Sequence, residues 1–360
     1  MTPDAMGAKR KENMQLEKRL SLYSLMLKSR YFEEAVKELW QKGAISGEMH
    51  SGIGEEAICA GFVSQLEEGD AMALDHRGTP PILMRGVDPL LLLKELLGDA
   101  EGLCGGMGGH MHLFSKEHLV SSSGIVGSSG PAAVGYALSA HLQRPGKVAL
   151  AFFGEGAVNQ GMLMEAFNLA VVWVLPVIFI CKDNDWAITT TSEQSSGSDL
   201  NARARGFGLP VIEVDGSDVA AVYEAAEDAI ARARQGEGPT FIRAYCAHPD
   251  GHFLGFLPWR IVRHPLKELP GISFHLLKSL GRRKGVPFRE RLRGMATVLR
   301  TVGDVTLPED RSARDPIKRT AGSLRTEGVD LRTLEEEIRG QIDQVVAAAW
   351  PPASASESVR

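Results

Sequence analysis

A glutamate flanked by glycines, Gly154-Glu155-Gly156, directly follows an apolar run that ends at Phe153. The run predicts a buried strand, and the helical spacing after it predicts a strand-to-helix junction. Such a junction collects free backbone N–H groups at the positive end of a helix dipole, so it favours an anionic ligand. Glu155 would repel a phosphate group unless a divalent cation lay between them, and a carboxylate with phosphate oxygens is a usual ligand set for Mg²⁺. The segment therefore predicts a phosphate–metal site, although Glu155 could instead be an acidic cap on an ordinary helix.

A second group of oxygen ligands follows the next predicted strand along the chain. The apolar run Pro176–Cys181 leads directly into Lys182–Trp186. Right-handed crossover connections place the ends of the two strands side by side, at the carboxyl edge where open α/β sheets bind ligands. The amide oxygen of Asn184 and a backbone carbonyl near Trp186 would then be available to a metal ion. The same residues could also form a simple turn, which aspartate and asparagine favour.

Apolar strands and helices alternate through the middle of the chain. Strands are predicted at Lys147–Phe153, Pro176–Cys181, Pro210–Val214 and Thr240–Tyr245, with helices at Asn159–Val174 and from Ser217 or Asp218 to just before Gly236. Strands that are apolar throughout are typical of a parallel sheet with both faces covered. The predicted fold class is therefore α/β, a mostly parallel sheet with helices on both faces.

Helical extensions are predicted at both ends of this region. The N-terminal helices are Leu16–Trp40, Gly54–Gln65 and Pro89–Leu97, and the C-terminal helix is Leu331–Ala349. The glycine- and serine-rich residues 98–130 are expected to lack regular structure and to form a functional loop. The predicted organisation is a disordered lead (1–14), an α/β domain (15–260), a basic insertion-like segment (261–314), a C-terminal helical segment (315–350) and a tail (351–360). The basic segment could be a solvated face, or it could dock an acidic partner, a lipoyl domain or a phosphate group.

Composition excludes several classes of protein. The 360-residue chain has a formal net charge of −5, so its electrostatics give no reason to expect nucleic acid as a partner. The longest apolar run, Leu169–Cys181, is broken by Pro176 and is shorter than the roughly 20 residues that a membrane helix needs. The four cysteines are scattered, which favours a reducing compartment, and Met1–Gln15 lacks the apolar stretch of a signal peptide. We expect a cytoplasmic protein that binds neither nucleic acid nor a membrane.

Several motifs occur in a specific order along the chain. A Gly-Asp-Gly followed roughly 30 residues later by Asn-Asn is the thiamine-diphosphate signature, and here the pattern reads Gly-Glu-Gly at 154–156 and Asp183-Asn184. Together with the stretches given next, it resembles the α subunit of the decarboxylating component of pyruvate, acetoin and branched-chain 2-oxo acid dehydrogenases. The likeness extends from about Leu25 to Trp259 and returns at Asp315–Ile317. The stretches are Gly105–His112, Gly124–Gly127, Glu165–Ala170, Val214–Val219, Gly238–Thr240 and Asp315–Ile317.

The resemblance implies that the chain binds thiamine diphosphate through Mg²⁺. Glu155 and Asn184 would bind the ion through their side chains, and Trp186 through its carbonyl oxygen. Catalytic roles are implied for His76 and His252, of which His252 would also order a loop over the site. Cofactor contacts are implied for Arg77, Gly124, Val126, Glu155, Gly156, Ala157, Asn184 and His252.

Partners are implied by the same resemblance. In such enzymes a 2-oxo acid such as pyruvate loses carbon dioxide on the cofactor, and the acyl group passes to a lipoyl group. The group that activates the cofactor's pyrimidine lies on a separate β subunit. The resemblance therefore implies an α₂β₂ heterotetramer, with a lipoyl acyltransferase component as a further partner.

The sequence also departs from the family pattern. Glu155 stands where aspartate is usual, Lys182 replaces a usual acid, and Asp183 replaces an asparagine. The family's Tyr-Arg-x-His-Gly stretch has Thr79 at its histidine position. Its later Tyr-Arg-x-x-Gly-His stretch has Cys246 at its arginine position.

This later stretch is also two residues longer than the family pattern, so that His248 is a second candidate beside His252. Two alternatives follow from these departures. One is an acyloin-forming carboligase or an acetoin-cleaving enzyme subunit, and the other is a cofactor-holding scaffold with weakened catalysis.

Overall fold

The computed structural model describes residues 16–255, 278, 285–306 and 314–350. The predicted lead (1–14) and tail (351–360) lie outside these residues, as does most of the predicted basic segment (261–314).

A seven-stranded sheet forms the centre of the fold. The strands are β1 (Ala71–Leu74), β2 (Phe114–Ser115), β3 (Val120–Ser122), β4 (Ala149–Gly154), β5 (Val177–Asp183), β6 (Trp186–Ala187), β7 (Thr190–Thr191), β8 (Val211–Asp215) and β9 (Thr240–Tyr245). Their order in the sheet is β2-β3-β1-β4-β5-β9-β8. All neighbouring strands are parallel except β2 and β3 at one edge, which are antiparallel. A separate hairpin, β6 with β7, follows β5.

Helices cover both faces of the sheet. They are α1 (Leu16–Gln41), α2 (Glu56–Val63), α3 (Thr79–Met84), α4 (Pro89–Leu96), α5 (Ser129–Gln143), α6 (Gly161–Val172), α7 (Ser192–Ser195), α8 (Leu200–Gly206), α9 (Val219–Arg234), α10 (Phe288–Thr306), α11 (Pro316–Thr326) and α12 (Arg332–Ala349), with a 3-10 helix at Glu155–Asn159. None of the helices in these described ranges is long and apolar enough to cross a membrane.

The central strands are apolar throughout because successive side chains enter two different cores. Phe152 and Ile180 lie in the core under α2, α9 and α4, whereas Phe153 and Phe179 lie in the core under α5, α6 and α8. Side chains alternate between the two faces of a strand, so a strand buried on both faces must be apolar at every position. The predicted α/β fold class is confirmed.

The terminal helices pack on the body through α1. Leu22 and Met26 of α1 share a third core with Leu324 of α11 and Ile338 of α12. The span between residues 255 and 314 is anchored on the same helix at both ends, since Gly255 lies against Trp40 and Asp315 accepts a hydrogen bond from Arg30 at 3.1 Å.

The prediction that residues 98–130 lack regular structure was wrong in part. This stretch contains β2 and β3 and the start of α5. The short strand β1 and the helix α3 were also not predicted. Strands of two to four residues carry too little periodicity to be recognised, and β1 becomes a strand because it pairs with β3 and β4 on either side.

Candidate functional site

Five neighbouring parallel strands end at one edge of the sheet, and each is followed by residues that line a single cavity. Gly124 follows β3, Arg77 follows β1, Glu155 follows β4, Asn184 follows β5, and His252 follows β9. This carboxyl edge is where open α/β sheets bind their ligands. The cavity has a volume of about 350 Å³, which is within the range of small-molecule sites.

All ten residues predicted from the sequence line this cavity. Their roles remain predictions, but the structure brings them to one place. They are His76, Arg77, Gly124, Val126, Glu155, Gly156, Ala157, Asn184, Trp186 and His252.

Glu155 and Asn184 are in direct contact. Their strands are paired in register up to Gly154 and Lys182, so the residues beyond the two strand ends meet. The Asn184 side chain Nδ2 lies 3.2 Å from Glu155 Oε2, and the Asn184 backbone N–H donates to the same oxygen at 3.3 Å. Rotation of the carboxamide exchanges Nδ2 for Oδ1, so the pair can offer oxygen atoms from both side chains to one cation.

The surroundings of Glu155 favour a bound cation. The side chain is only 3% exposed. Burial, with a smaller contribution from the charge of Asp183, raises the pKa of Glu155 to about 7. A nearby cation would remove the cost of burying this charge. A carboxylate, an amide oxygen and a backbone carbonyl form a hard oxygen donor set, and this set fits Mg²⁺.

Two glycines leave room for a ligand to approach the backbone. A Cβ atom on Gly156 would lie 2.9 Å from the Cβ atom of Ala187, and a Cβ atom on Gly124 would lie 3.1 Å from the sulfur of Met111. Both positions line the cavity, so any larger residue would take space from the ligand or displace a wall.

Arg77 is held by the loop that follows β9. The side chain is 2% exposed. Its Nη2 donates to the backbone carbonyl of His252 at 2.6 Å, and its Nη1 donates to the carbonyl of Ser51. Nη2 also lies 3.5 Å from Nδ1 of His252. Arg77 and His252, both predicted as cofactor contacts, are therefore neighbours.

Four histidines gather beside Arg77. The rings of His50, His76 and His252 lie within 5.7 Å of one another, centroid to centroid. His50 Nδ1 also lies 3.0 Å from His110 Nε2. Nε2 of His76 is buried and has no hydrogen-bond partner among the described residues, so it is available to a ligand.

These imidazoles are neutral at physiological pH. Burial, together with the charge of Arg77, lowers the pKa of His50, His76 and His252 to about 3 and that of His110 to about 4. A neutral ring donates one hydrogen bond and accepts another, so these side chains can orient polar atoms of a substrate without adding charge.

Sequence reasoning missed His50 and His110. His110 lies inside the quoted stretch Gly105–His112, but no role was assigned to it. His50 carries no local signal, because its contact with His110 spans sixty positions along the chain.

A buried ionic network forms the floor of the cavity. Lys182 Nζ lies 2.6 Å from Glu55 and 3.0 Å from Asp75, and His248 Nε2 lies 2.8 Å from Glu55. Burial alone would raise the pKa of Glu55, but the charge of Lys182, the hydrogen bond with His248 and the charge of Arg77 together outweigh burial and hold the pKa well below its ordinary value. Lys182 thus contacts two carboxylates, and Nε2 of His248 is occupied by Glu55. Between the two candidate histidines, this arrangement favours His252 for contact with a ligand.

The rim of the cavity carries exposed apolar side chains. Ile125 is 62% exposed, Val126 52% and Ile188 50%. Ile188 also has a φ of +60°, a conformation that a β-branched residue adopts only under local strain. Exposed apolar groups around a concave site mark a surface that another molecule covers.

The sequence of the chain is similar to those of known proteins. The family model described as "Dehydrogenase E1 component" matches residues 23–255. The α subunit of acetoin:2,6-dichlorophenolindophenol oxidoreductase from Bacillus subtilis is 41% identical over 241 residues, which cover 66% of this chain and 72% of that protein. The corresponding α subunit from Cupriavidus necator is 40% identical over 238 residues, covering 66% and 72%. The α subunit of the pyruvate dehydrogenase E1 component from Porphyra purpurea is 38% identical over 251 residues, covering 67% and 73%.

The matched span contains all strands of the sheet and every residue that lines the cavity. The chain therefore belongs to the dehydrogenase E1 component family, as an α subunit of the thiamine-diphosphate-dependent 2-oxo acid dehydrogenases.

Proposed function

We propose that this chain holds thiamine diphosphate through Mg²⁺ and, with a β subunit in an α₂β₂ assembly, decarboxylates a 2-oxo acid such as pyruvate. The observation that carries the proposal is the contact between Glu155 and Asn184 at adjacent strand ends, inside a cavity at the carboxyl edge of the sheet. Membership of the family supports the cofactor and the class of oxidoreductase.

Different residues of this chain would bind the metal ion, the diphosphate and the aminopyrimidine. Glu155, Asn184 and the carbonyl of Trp186 would hold Mg²⁺. Backbone groups of Gly156 and Ala157 at the start of the 3-10 helix would meet the phosphate oxygens, as free N–H groups at helix starts do. Arg77, which lines the same cavity, would add positive charge on the diphosphate side. Gly124 and Val126 would contact the aminopyrimidine through their backbone.

Bound thiamine diphosphate supplies a carbon nucleophile and an electron sink for cleavage of a bond next to a carbonyl group. The protein's part is to place the substrate and exclude water. His76 and His252 are neutral and face the cavity, so they can donate hydrogen bonds to the oxygens of a substrate. The pyrimidine-activating group would come from the β subunit, which would cover Ile125, Val126 and Ile188.

The acceptor of the acyl group and the cellular compartment of the protein are further parts of the proposal. The acyl group would pass to a lipoyl group of an acyltransferase component, as the family resemblance implies. The cysteines in the described residues are free, two of them deep in the sheet cores, and this supports a reducing compartment such as the cytoplasm.

A second candidate function is the cleavage of a 2-hydroxy ketone such as acetoin. Two of the similar proteins carry acetoin in their names. In the proposed arrangement Arg77 would serve the diphosphate, and Lys182 is bound by two carboxylates, so the described lining residues leave no further cation for a substrate carboxylate. An uncharged hydroxy ketone would need no further cation.

The metal site can be tested by Asn184→Ala. Removal of a side chain that contacts a charged centre costs about 1.5–3 kcal/mol, which corresponds to a tenfold or greater loss of affinity. We expect this loss for thiamine diphosphate with Mg²⁺ in titration calorimetry. Asn168→Ala is the matched control, because Asn168 is exposed on α6 and outside the cavity. Equal affinity of the two variants would contradict the proposed site.

The substrate can be identified with the assembled enzyme. The chain would be purified with its β subunit and given thiamine diphosphate, Mg²⁺ and an artificial electron acceptor. Carbon dioxide release across a panel of 2-oxo acids would support decarboxylation. Acceptor reduction by acetoin without carbon dioxide release would favour the second candidate.

A further inference from the structure

A buried carboxylate that does not line the cavity organises one of its walls. Glu95, near the end of α4, is 1% exposed. Its Oε2 accepts hydrogen bonds from the backbone N–H groups of Cys104 at 2.6 Å and Gly106 at 2.9 Å. Its Oε1 accepts from Gly108 at 2.7 Å and Gly109 at 3.2 Å. Four successive contacts to one side chain fix the path of this glycine-rich loop.

The loop leads directly into the cavity. His110, the residue after Gly109, is 7% exposed, and its Nε2 lies 3.0 Å from Nδ1 of His50. Met111 comes next, lines the cavity and lies beside Gly124. A shift of the loop would therefore move a partner of His50 and one wall of the ligand space together.

The acceptor chemistry of a carboxylate suits this role. Both of its oxygens are acceptors, so it can satisfy all four N–H groups. A glutamine of the same shape would turn an NH₂ group toward two backbone donors, and those two N–H groups would be left buried and unpaired. A loop rich in glycine has no side chains of its own to hold it, and loss of these bonds would leave many alternative paths open.

We propose that Glu95 is a positioning residue, which acts through His110 to orient His50 in the cavity. One ring nitrogen of a histidine sets the tautomer and direction of the other. The contact from His110 to Nδ1 of His50 thus decides what Nε2 of His50 presents to the substrate. This inference rests on the proposed function, because it assumes that the cavity is the catalytic site.

The test compares Glu95→Gln and His110→Gln in the complex with the β subunit. Both variants are expected to lower kcat about tenfold, the usual scale for residues that orient a functional group, with a smaller change in KM. Hydrogen exchange of residues 104–112 should accelerate in Glu95→Gln and stay unchanged in His110→Gln. The double variant should be no slower than either single variant, since both interrupt the same contact.

Asp70→Asn is the matched control. Asp70 is also a fully buried carboxylate that accepts backbone hydrogen bonds, from Glu67 and Val148, but it lies away from the cavity. This variant should lose thermal stability and keep kcat. If Glu95→Gln behaves like Asp70→Asn, or if the two kcat losses multiply in the double variant, Glu95 does not act through His110.

Failure of this inference and failure of the proposed function give different results. If the wild-type complex does not bind thiamine diphosphate, the proposed function is wrong. If it binds and turns over while His110→Gln is fully active, only the inference is wrong. If Glu95→Gln does not fold, the kcat of His110→Gln still tests the inference, because this variant leaves the contacts of Glu95 to the loop intact.

Discussion

The free energy of unfolding should depend on pH through the carboxyl group of Glu33 on α1. It is 4% exposed. Burial raises its pKa to about 7, against opposing hydrogen bonds from Ser51 and the backbone of Gly52. The folded protein therefore keeps this proton over a range of pH in which the unfolded chain has already released it.

The sign of the effect follows from the proton balance. Between pH 4.5, the ordinary pKa, and about 7, the folded state binds more protons, so the free energy of unfolding falls as pH rises. The full change is at most about 3 kcal/mol, and it levels off above the folded-state pKa.

Glu33→Gln should lack this pH-dependent part of the stability, so chemical denaturation should show the variant gaining stability relative to wild type from pH 5 to pH 8. Glu38→Gln, an exposed residue of the same helix, should show no such trend. A stability difference between Glu33→Gln and wild type that is constant with pH would contradict the assignment.

At the scale of residues, predicted strand ends pointed to Glu155 and Asn184, and the family resemblance supplied the other predicted site residues. Glu155 and Asn184 were predicted because parallel strands bring their carboxyl ends together, and the structure places them in contact. His50, His110 and Glu95 could not be predicted in this way. Their contacts depend on the path of a loop whose conformation is set by tertiary hydrogen bonds, and a glycine-rich sequence does not specify that path.

At the scale of elements, one ion-pair chain joins three helices. Asp315 accepts from the backbone N–H of Ile317 at the start of α11 at 3.0 Å, and its carboxylate lies 3.1 Å from Arg30 of α1. Arg30 in turn contacts Glu56 of α2 at 2.6 Å. Asp315 therefore acts both as a helix cap and as the ionic link between the C-terminal segment and the body.

Asp315→Ala should loosen the C-terminal helices. Loss of the cap together with a part-buried charge contact should cost about 2–4 kcal/mol, measured as a lower thermal midpoint and faster hydrogen exchange in α11 and α12. Asp315→Asn keeps an oxygen for the cap and removes only the charge, so it should lose less. Equal losses in the two variants would mean that the cap contributes nothing.

Long elements with strong patterns were the predictable ones. The helix predicted from Ser217 or Asp218 to before Gly236 corresponds to α9, and Asp218 is its N-cap, with its side chain 3.2 Å from the N–H of Ala220. By contrast, β1, β2 and β3 have four residues or fewer. Their conformation comes from neighbours in the sheet, and no pattern inside so short a segment can report it.

At the scale of the whole molecule, the exposed rim indicates that the site is shared with another chain. The site must exclude water, and it would cost free energy to leave apolar side chains around it exposed to water, namely Ile125, Val126 and Ile188. We expect no decarboxylation of any 2-oxo acid by the isolated chain, and activity on addition of the β subunit. Hydrogen exchange at residues 124–127 should slow on assembly, whereas the exposed residue Leu91 on α4 should keep its rate. Turnover by the pure chain would contradict the two-subunit arrangement.

The two anchors on α1 give the molecule a site for variation in length. Trp40 meets Gly255, and Arg30, ten residues earlier on α1, holds Asp315, so about 15 Å of helix separates exit from return. The entropy of closing such a span grows only with the logarithm of its length. A change in the length of the intervening stretch should therefore alter the free energy of chain closure only slightly, and the walls of the cavity, drawn from residues 50 to 252, all precede that stretch in the sequence.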